Sequence, residues 1–257
     1  MNWKHPSFIN CVAPFVFLTG LLGGCNSSPA PEPETNETRP VVAGAPLVYI
    51  VDPVKSDLRF YWKDRAGERF ANFSNLREAV SARGDSLVFA VNGGMFNKAH
   101  QPQGLYVETG KTLAPLDTVS EGYGNFYLQP NGIFGLLTDG TPLISATDSL
   151  AKMPGFRYAT QSGPMLVIDG HLHPAFNEGS DNLNVRNGVG LLPDGRLLFA
   201  MSTEKVNFYD FATFFRQRGC EQALYLDGYI SKTWLPERDW RQSKGNLGVI
   251  IAVTSPK

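Results

Sequence analysis

Tight-turn sequences recur through this chain, and they constrain its fold more than any other feature. Each turn lies between two short apolar runs, which is typical of strands joined as hairpins. The turn sequences are Glu108-Thr109-Gly110, Pro130-Asn131-Gly132, Asp139-Gly140, Asp169-Gly170 and Pro193-Asp194-Gly195. Turns this short join antiparallel neighbours, because parallel strands need long crossover connections. The sequence therefore predicts an α+β fold of mostly antiparallel sheets built from hairpins, with a few packed helices.

Two helices are predicted from capping and periodicity. Asn75 followed by Glu78 resembles a capping box, which predicts a short helix over Asn75–Arg83. A second helix is predicted to begin after Asn207 and to stop at Gly219. Its apolar face has helical spacing and consists of Phe208, Phe211, Ala212 and Phe215.

The first 24 residues are interpreted as a lipoprotein signal peptide. A charged start is followed by an apolar run over 11–22, which is too short to span a bilayer. The run ends in Leu22-Gly23-Gly24-Cys25, which resembles a bacterial lipobox. This resemblance implies cleavage before Cys25, lipidation of its sulfur and a lipid anchor in the bacterial cell envelope. Asn26 after the cysteine favours the outer membrane. The alternative is an ordinary signal peptide with a coincidental cysteine.

Residues 25–46 are predicted to be a disordered tether, and residues 47–257 to be the folded domain. The tether is rich in Pro, Glu, Ser and Thr and has no hydrophobic periodicity. Of the three cysteines, only Cys220 would remain as a free thiol in the mature protein, so no intrachain disulfide is expected.

The charge balance of the chain limits which binding partners are expected. The 23 Lys and Arg residues nearly cancel the 24 Asp and Glu residues. This argues against a nucleic-acid partner held by bulk charge, although it allows a local basic site.

Polar residues flanked by glycine follow several apolar strands. A rigid scaffold presents functional side chains in this way. The segments are Asn92-Gly93-Gly94, Gln161-Ser162-Gly163-Pro164, Asn184-Val185-Arg186-Asn187 and Asp227-Gly228, with Ser231 and Lys232 shortly after the last.

These segments together resemble the phosphodiester glycosidase family. The motifs, in order, are Asn92-Gly93-Gly94-x-Phe96, Gln161-Ser162-Gly163-Pro164, Arg186 with Gly190, Asp194-Gly195, and Leu226-Asp227-Gly228 with Ser231. No motif is specific alone, but five in order over roughly residues 47–253 make a strong match. The resemblance implies hydrolysis of the bond between a sugar's anomeric carbon and a phosphodiester oxygen. It implies a carbohydrate phosphodiester substrate and no cofactor.

One departure from the family pattern follows Asp227-Gly228. Tyr229 stands where the family resemblance leads us to expect a run of glycines. Its ring could narrow the site, stack on a sugar or abolish activity.

Asp227 and Arg186 are the predicted catalytic residues. An anomeric C–O bond breaks through an oxocarbenium-like transition state, which a carboxylate stabilises or captures. Asp227 is thus a candidate nucleophile, base or electrostatic stabiliser, with a plain Asp-Gly turn as the alternative. Arg186 offers a planar fork for phosphate oxygens, with a structural ion pair as its alternative. A phosphate leaving group is a weak base, so a general acid is less necessary than for an ordinary glycoside.

The remaining candidates are predicted to bind substrate. Asn92 with the backbone of Gly93 and Gly94 can form an anion-binding nest, and its alternative is a tight turn. Gln161 and Ser162 could bind sugar hydroxyls or the phosphate. The other candidates are Ser231, Lys232 and Tyr229.

Two alternative functions remain from the sequence. One is a non-catalytic lipoprotein that binds glycans or phosphopolymers. The other is a metal-dependent phosphodiesterase, which would break the P–O bond. His171-x-His173 has a spacing that metals use, but no third ligand is evident near it. No metal site is therefore predicted.

Overall fold

The computed structural model describes residues 44–150, 152, 154–227 and 230–257. The predicted signal peptide, Cys25, Gly228 and Tyr229 lie outside the described residues, as does all but the end of the predicted tether. Within the described ranges, no helix is long and apolar enough to cross a membrane.

The described residues form sixteen strands and two helices, together with short 3-10 turns. The strands are β1 Leu47–Val51, β2 Asp57–Tyr61, β3 Asp85–Asn92, β4 Tyr106–Glu108, β5 Lys111–Ala114, β6 Gly132–Leu137, β7 Pro142–Ala146, β8 Phe156–Ser162, β9 Met165–Ile168, β10 His171–Leu172, β11 Asn187–Leu191, β12 Leu197–Met201, β13 Gln222–Tyr225, β14 Thr233–Leu235, β15 Trp240–Arg241 and β16 Ile250–Pro256. The helices are α1 Phe73–Ala82 and α2 Phe208–Gln217.

The strands form three sheets. Sheet 1 has the order β1-β12-β11-β13-β9-β10, sheet 2 the order β15-β14-β3-β16-β2, and sheet 3 the order β5-β4-β8-β6-β7. Every strand pairing within the described residues is antiparallel. The predicted α+β class with mostly antiparallel sheets is confirmed, in a form rich in strands and with two helices.

Four of the five predicted hairpin turns connect paired strands. They join β4 to β5, β6 to β7, β9 to β10 and β11 to β12. The prediction for Pro130-Asn131-Gly132 is wrong, because β6 begins at Gly132 but pairs with β7 and β8. The Asn131 side chain donates to the Phe126 carbonyl oxygen at 3.1 Å. These residues therefore form the loop that leads into β6, and they do not connect two paired strands.

The two helices differ in how well their starts follow the prediction. Helix α1 begins before Asn75, because Asn72 is its cap and accepts a hydrogen bond from the Asn75 N–H at 2.9 Å. Helix α2 begins after Asn207 as predicted, and the Asn207 side chain accepts from the Asp210 N–H at 2.8 Å. The chain reverses after α2 at Gly219, whose φ is +80°.

The main core lies among the three sheets. Its buried members include Phe89 of sheet 2, Phe134 of sheet 3 and Phe199 of sheet 1. The rings of Phe89 and Phe134 both contact Phe199. Helix α2 covers the opposite face of sheet 1, and α1 packs against sheet 2. The three sheets are therefore held by shared aromatic packing, and this brings the ends of strands from different sheets together.

Candidate active site

Asn187 joins the ends of strands from two sheets. It is the first residue of β11 in sheet 1 and is fully buried. Its Nδ2 donates to the main-chain oxygen and Oδ1 of Asn92, the last residue of β3 in sheet 2, at 2.9 and 3.1 Å. Its Oδ1 accepts the N–H of Asp227 at 3.2 Å. One side-chain amide thus fixes the position of Asn92 relative to Asp227.

Tyr225 is the buried side chain that relates Arg186 to Asp227. Gly188 of β11 pairs with Tyr225 of β13. Arg186 directly precedes β11, and Asp227 follows β13 by two residues. The phenol oxygen of Tyr225 lies 3.3 Å from Nη1 of Arg186.

The electrostatics of Tyr225 reflect both neighbours. Burial raises the pKa of its phenol well above the usual value, the Arg186 guanidinium opposes the rise, and the Asp227 carboxylate adds to it. The phenol is therefore neutral at physiological pH. The Arg186 guanidinium and the Asp227 carboxylate thus both interact electrostatically with this buried phenol.

Arg186 is held by several partners of its own. Its Nε donates to the Val206 carbonyl oxygen at 2.8 Å, and its Nη2 donates to the Asn182 carbonyl oxygen at 2.7 Å. The guanidinium stacks on Phe208 at 3.6 Å from the ring centre. Burial lowers the pKa of Arg186, yet a guanidinium stays charged in proteins. These partners are oxygen atoms and a ring, unlike the ion pair that the sequence suggested as an alternative.

A cavity of about 580 Å³ opens beside Asp227. Its lining residues are Met95, Phe96, Asn97, Lys98, His100, Gln103, Tyr123, Gly124, Asn125, Phe126, Asp227, Ile230 and Asn246. Asp227 is the only carboxylate among these described lining residues, and it is 5% exposed. Aromatic rings and side-chain amides make up much of the remaining wall. Such a mixture suits a sugar, which offers an apolar ring face and many hydroxyl groups.

Only one of the two predicted catalytic residues lines this cavity. Asp227 lines it, whereas Arg186 is not among the lining residues and lies fully buried beside Tyr225. A direct contact between Arg186 and phosphate remains a prediction. The structure gives Arg186 a further role, because it anchors the segment at Asn182 and Val206 around the site.

The glycines after β3 are required by close packing. The Gly93 N–H donates to the Val249 carbonyl oxygen at 2.8 Å, so it is not offered to an anion in the nest that the sequence predicted. A Cβ at Gly94 would collide with Thr160 Oγ1 of the neighbouring sheet.

Asn92 fixes two neighbouring segments. Besides its bonds from Asn187, its Oδ1 accepts the Lys232 N–H at 2.7 Å. Its buried Nδ2 has no hydrogen-bond partner among the described residues. Substrate contact by Asn92 remains a prediction, and this Nδ2 is the atom that could make it.

Gln161 and Ser162 are buried and bonded to the protein. Gln161 Oε1 accepts the N–H groups of Leu105 and Asp117 at 3.0 and 2.9 Å, and its Nε2 donates to the Asp117 carbonyl oxygen at 2.7 Å. Ser162 Oγ donates to the Leu226 carbonyl oxygen, next to Asp227. Both side chains hydrogen-bond to neighbouring segments of the protein, and their contact with substrate remains a prediction.

Ser231 and Lys232 follow the site in the chain. Ser231 Oγ donates to the Val185 carbonyl oxygen at 3.0 Å and lies 3.3 Å from the Asp227 carbonyl oxygen. Lys232 contributes its N–H to Asn92, and its side chain is not among the lining residues. Their predicted contact with substrate remains a prediction, as does that of Tyr229, which lies outside the described residues.

Several residues of the site were missed by the sequence analysis. Asn187 follows Arg186 at a strand boundary, so the same signal that identified Asn92 could have identified it. Lys98 comes from the loop after Gly94, and Tyr123 and Asn246 come from two other loops. No local pattern marks the loop residues, because only the tertiary fold brings them to one cavity.

Metal-binding groups are sparse in the described part of the chain. No three His, Cys, Asp or Glu side chains there are grouped so that they could hold a metal ion. His171 is exposed and His173 is buried against Phe176, so this pair does not present two imidazoles to one open site.

Comparison with known proteins gives a consistent result. The sequence profile described as phosphodiester glycosidase matches residues 85–251. The chain is 33% identical over 188 residues to the uncharacterized protein YigE of Escherichia coli K12, which covers 73% of each chain.

Two solved structures are similar in fold. The catalytic domain of zebrafish N-acetylglucosamine-1-phosphodiester alpha-N-acetylglucosaminidase, auto-inhibited by its pro-peptide, superposes with a TM-score of 0.55 at 16% identity, over 81% of this chain and 82% of that one. A hypothetical protein from Synechocystis superposes with a TM-score of 0.52 at 14% identity, over 81% of this chain and 59% of that one. At these identities the likeness is one of fold.

Proposed function

Because this chain belongs to the phosphodiester glycosidase family, we propose that it is a hydrolase that cleaves the sugar C1–O bond of a sugar-1-phosphodiester in envelope or surface glycopolymers. The observation that carries this proposal is the position of Asp227. Its carboxylate is buried in the wall of a cavity whose other lining residues are amides, aromatic rings, a lysine, a histidine, a glycine and the apolar Met95 and Ile230.

Asp227 is proposed to act on the developing positive charge of the sugar. As the C1–O bond breaks, its electron pair goes to the phosphate oxygen, and positive charge develops on C1 and the ring oxygen. A carboxylate facing this carbon stabilises the transition state more than the ground state, which is the requirement for catalysis. Water then supplies the hydroxyl group on C1, and its proton is released. The products are a free sugar and a phosphomonoester.

The phosphate needs positive charge more than it needs a proton. The departing phosphomonoester is a weak base, so its departure does not depend on a general acid. Lys98 lies on the cavity wall and is proposed to contact the phosphate oxygens. Arg186 is proposed to add positive charge from its buried position beside Tyr225.

Aromatic rings are proposed to position the sugar. Phe96 and His100 stack on one another with ring centres 5.2 Å apart, and both line the cavity. Tyr123 is fully exposed on the same lining. Aromatic rings that line a cavity in this way bind the apolar face of a sugar, while neighbouring amides bind its hydroxyl groups.

The lipid anchor is part of the proposal. The motif Leu22-Gly23-Gly24-Cys25 supports an acylated Cys25, and the segment to residue 46 would tether the domain to a bacterial membrane, for which Asn26 favours the outer one. The substrate would then be a polymer of the same envelope.

Hydrolysis in water labelled with heavy oxygen tests the reaction. A panel of sugar-1-phosphodiesters is incubated with the wild-type enzyme and with Asp227→Asn, and the products are examined by mass spectrometry. Label in the sugar, lost in the variant, is the expected result. Label in the phosphate would instead mean P–O cleavage. Binding of the panel without turnover would make the protein a glycan-binding lipoprotein, the alternative raised by Tyr229.

A further inference from the structure

A second cavity, of about 540 Å³, adjoins the first cavity, which lies beside Asp227. Asn97 and Gln103 line both of them, so the two cavities meet at these residues. Their walls are also in contact, because Phe126 lines the first cavity and Tyr127 lines the second. The rings of Phe126 and Tyr127 meet edge to face with their centres 5.1 Å apart. A ligand in the first cavity can therefore extend into the second.

Gln161 holds part of the wall of the second cavity in place. Its side chain is fully buried, and its hydrogen bonds join the segment at Leu105 to the segment at Asp117. Asp117 lines the second cavity, and so does Gly104, the residue before Leu105. A Cβ at Gly104 would collide with the amide oxygen of Gln161, so only glycine fits at this place in the wall. One buried amide thus fixes two segments that surround the cavity.

The second cavity carries groups that can bind hydroxyl groups. The Tyr127 hydroxyl donates to Oδ2 of Asp117 at 3.2 Å, and Asp117 Oδ1 accepts the Val119 N–H at 2.9 Å. An ionised carboxylate can accept about four hydrogen bonds, so acceptor positions remain for a ligand. The side chains of Gln103 and Thr118 also line the cavity, and neither makes a hydrogen bond to the part of the chain that the structure describes.

The two cavities differ in charge. Asp117 is the only charged side chain among the described residues that line the second cavity, whereas Lys98 lines the first and not the second. A phosphate group in the second cavity would therefore face a carboxylate without a compensating cation, which is unfavourable. Hydroxyl groups suit this cavity, because they can donate to the carboxylate and exchange hydrogen bonds with the amide and hydroxyl groups around it.

We propose that the second cavity binds an uncharged sugar ring that is joined to the scissile sugar-1-phosphate, either through the scissile sugar or through the leaving alcohol. The phosphate stays in the first cavity, where Lys98 lies, and the hydroxyl groups of the second sugar bind Asp117, Thr118 and Tyr127. This inference rests on the proposed function and adds to it that the substrate contains at least two sugars. A diester with a single sugar would occupy the first cavity alone.

Binding of three diesters tests the inference without requiring turnover. The full chain carrying Asp227→Asn is used, and the scissile sugar is that of the panel diester which this chain binds most tightly. The first probe is the methyl diester of the 1-phosphate of this sugar. The second probe adds a glucose unit to the scissile sugar, and the third replaces the methyl group by a glucose unit.

The test variant removes two hydroxyl groups from the second cavity while preserving the shape of the side chains. It carries Thr118→Val and Tyr127→Phe, and both residues line the second cavity only. The matched control carries Thr112→Val and Tyr209→Phe, which removes two hydroxyl groups that line neither cavity. Affinity for the methyl diester reports whether each variant is folded.

The expected result is a selective loss. One of the two glucose-bearing probes should bind about five- to fiftyfold more weakly to the test variant, since two hydrogen bonds between neutral groups are lost. The affinity for the methyl diester, and for every probe in the control, should not change. The loss should not depend on salt, because the groups removed are uncharged. The probe that is affected identifies the side of the phosphate on which the second sugar lies.

Asp117→Asn tests the preference for an uncharged ring. When glucuronate replaces the added glucose, its carboxylate should be repelled by Asp117, and the probe should bind more weakly than its glucose counterpart. Asp117→Asn should reduce this difference about two- to fivefold. The exposed Asp148→Asn, which lines neither cavity, should leave the difference unchanged.

Three results would overturn the inference. In the first, neither glucose-bearing probe binds more tightly than the methyl diester. In the second, the test variant loses affinity for all three probes equally. In the third, the preference for glucose over glucuronate is the same with and without Asp117. Failure of the proposed function would appear differently, as the expected selective loss in binding without turnover of any probe by the wild-type enzyme.

Discussion

Asn187 accepts the backbone N–H of Asp227 on one side of its amide and donates to Asn92 on the other. The carboxylate that lines the cavity is therefore positioned by a residue that does not line it. Asn187 therefore positions the site, whereas Asp227 is proposed to act on the substrate. Substitutions of the two residues can measure these contributions separately.

Asn187→Ala should lower both stability and turnover. The substitution removes the partners of buried polar groups at Asn92 and Asp227, and each unsatisfied group costs about 1–3 kcal/mol. Because Asp227 loses its support, kcat should fall more than KM rises. Chemical denaturation and steady-state kinetics test this, with the exposed Asn177→Ala as control. Unchanged kcat in a destabilised protein would leave Asn187 a structural residue only.

Asp227→Asn should preserve binding and abolish most turnover. The amide is nearly isosteric and keeps hydrogen-bonding capacity, but it lacks the charge that stabilises an oxocarbenium-like transition state. We expect kcat to fall by several orders of magnitude while the affinity for a phosphodiester ligand changes little. The exposed Asp148→Asn is the control. Full turnover by Asp227→Asn would contradict the assigned role.

Arg186→Ala should discriminate between charged and neutral ligands. The predicted contact of Arg186 with phosphate, which the present cavity lining does not include, would be worth roughly 1.5–3 kcal/mol as a hydrogen bond to a charged group, or roughly ten- to a hundredfold in affinity. The affinity for phosphate-bearing ligands should fall by this factor, and the affinity for a neutral aryl glycoside should fall far less. Arg218→Ala is a matched control, because its guanidinium also stacks on a phenylalanine of α2 at 3.6 Å. An equal loss for both ligands would assign Arg186 a purely structural role.

Glu108→Gln should stabilise the protein near neutral pH but not in acid. Burial raises the pKa of Glu108 in the folded state, so the wild type loses stability as the pH rises through that folded pKa. The increase in the free energy of unfolding from the neutral amide should therefore appear at pH 7. It should vanish below about pH 4, where the wild-type carboxyl is protonated in both the folded and the unfolded state. Urea denaturation at the two pH values tests this, with the exposed Glu78→Gln as control. A difference independent of pH would refute it.

Cys25→Ser should release the protein from membranes. The lipobox-like motif predicts that the mature chain starts at an acylated Cys25. Mass spectrometry of the native protein should detect the acyl groups. The serine variant should fractionate with soluble proteins and keep the circular dichroism of the wild-type domain. A mature protein that begins elsewhere and carries no lipid would disprove the anchor.

Elements specified by nearby residues could be predicted from the sequence. Helix α2 is an example, because its cap Asn207 and its phenylalanine stripe lie within one short segment. Four hairpins followed from their turn residues in the same way. The start of α1 was misplaced because Asn72 and Asn75 are both plausible caps, and only the observed bond between them decides which one acts.

The site could be predicted only in part, because its geometry depends on distant contacts. Asp227 was identified by its place after an apolar strand. The bonds of Gln161 to Asp117, which is 44 positions away, could not be foreseen from the residues around either one. The positions of Lys98 and Tyr123 on the cavity wall could not be foreseen either, because they depend on the tertiary arrangement of two loops.

The bond between Asn92 and Asn187 also has a kinetic meaning. It joins residues 95 positions apart, and it forms only when sheets 1 and 2 have docked. Contacts of such long range form late, because the entropy of loop closure opposes them until other packing compensates. A chain that has regained its hairpins during refolding would still lack a binding site. Recovery of ligand binding should therefore lag behind recovery of secondary structure and mark completion of the native fold.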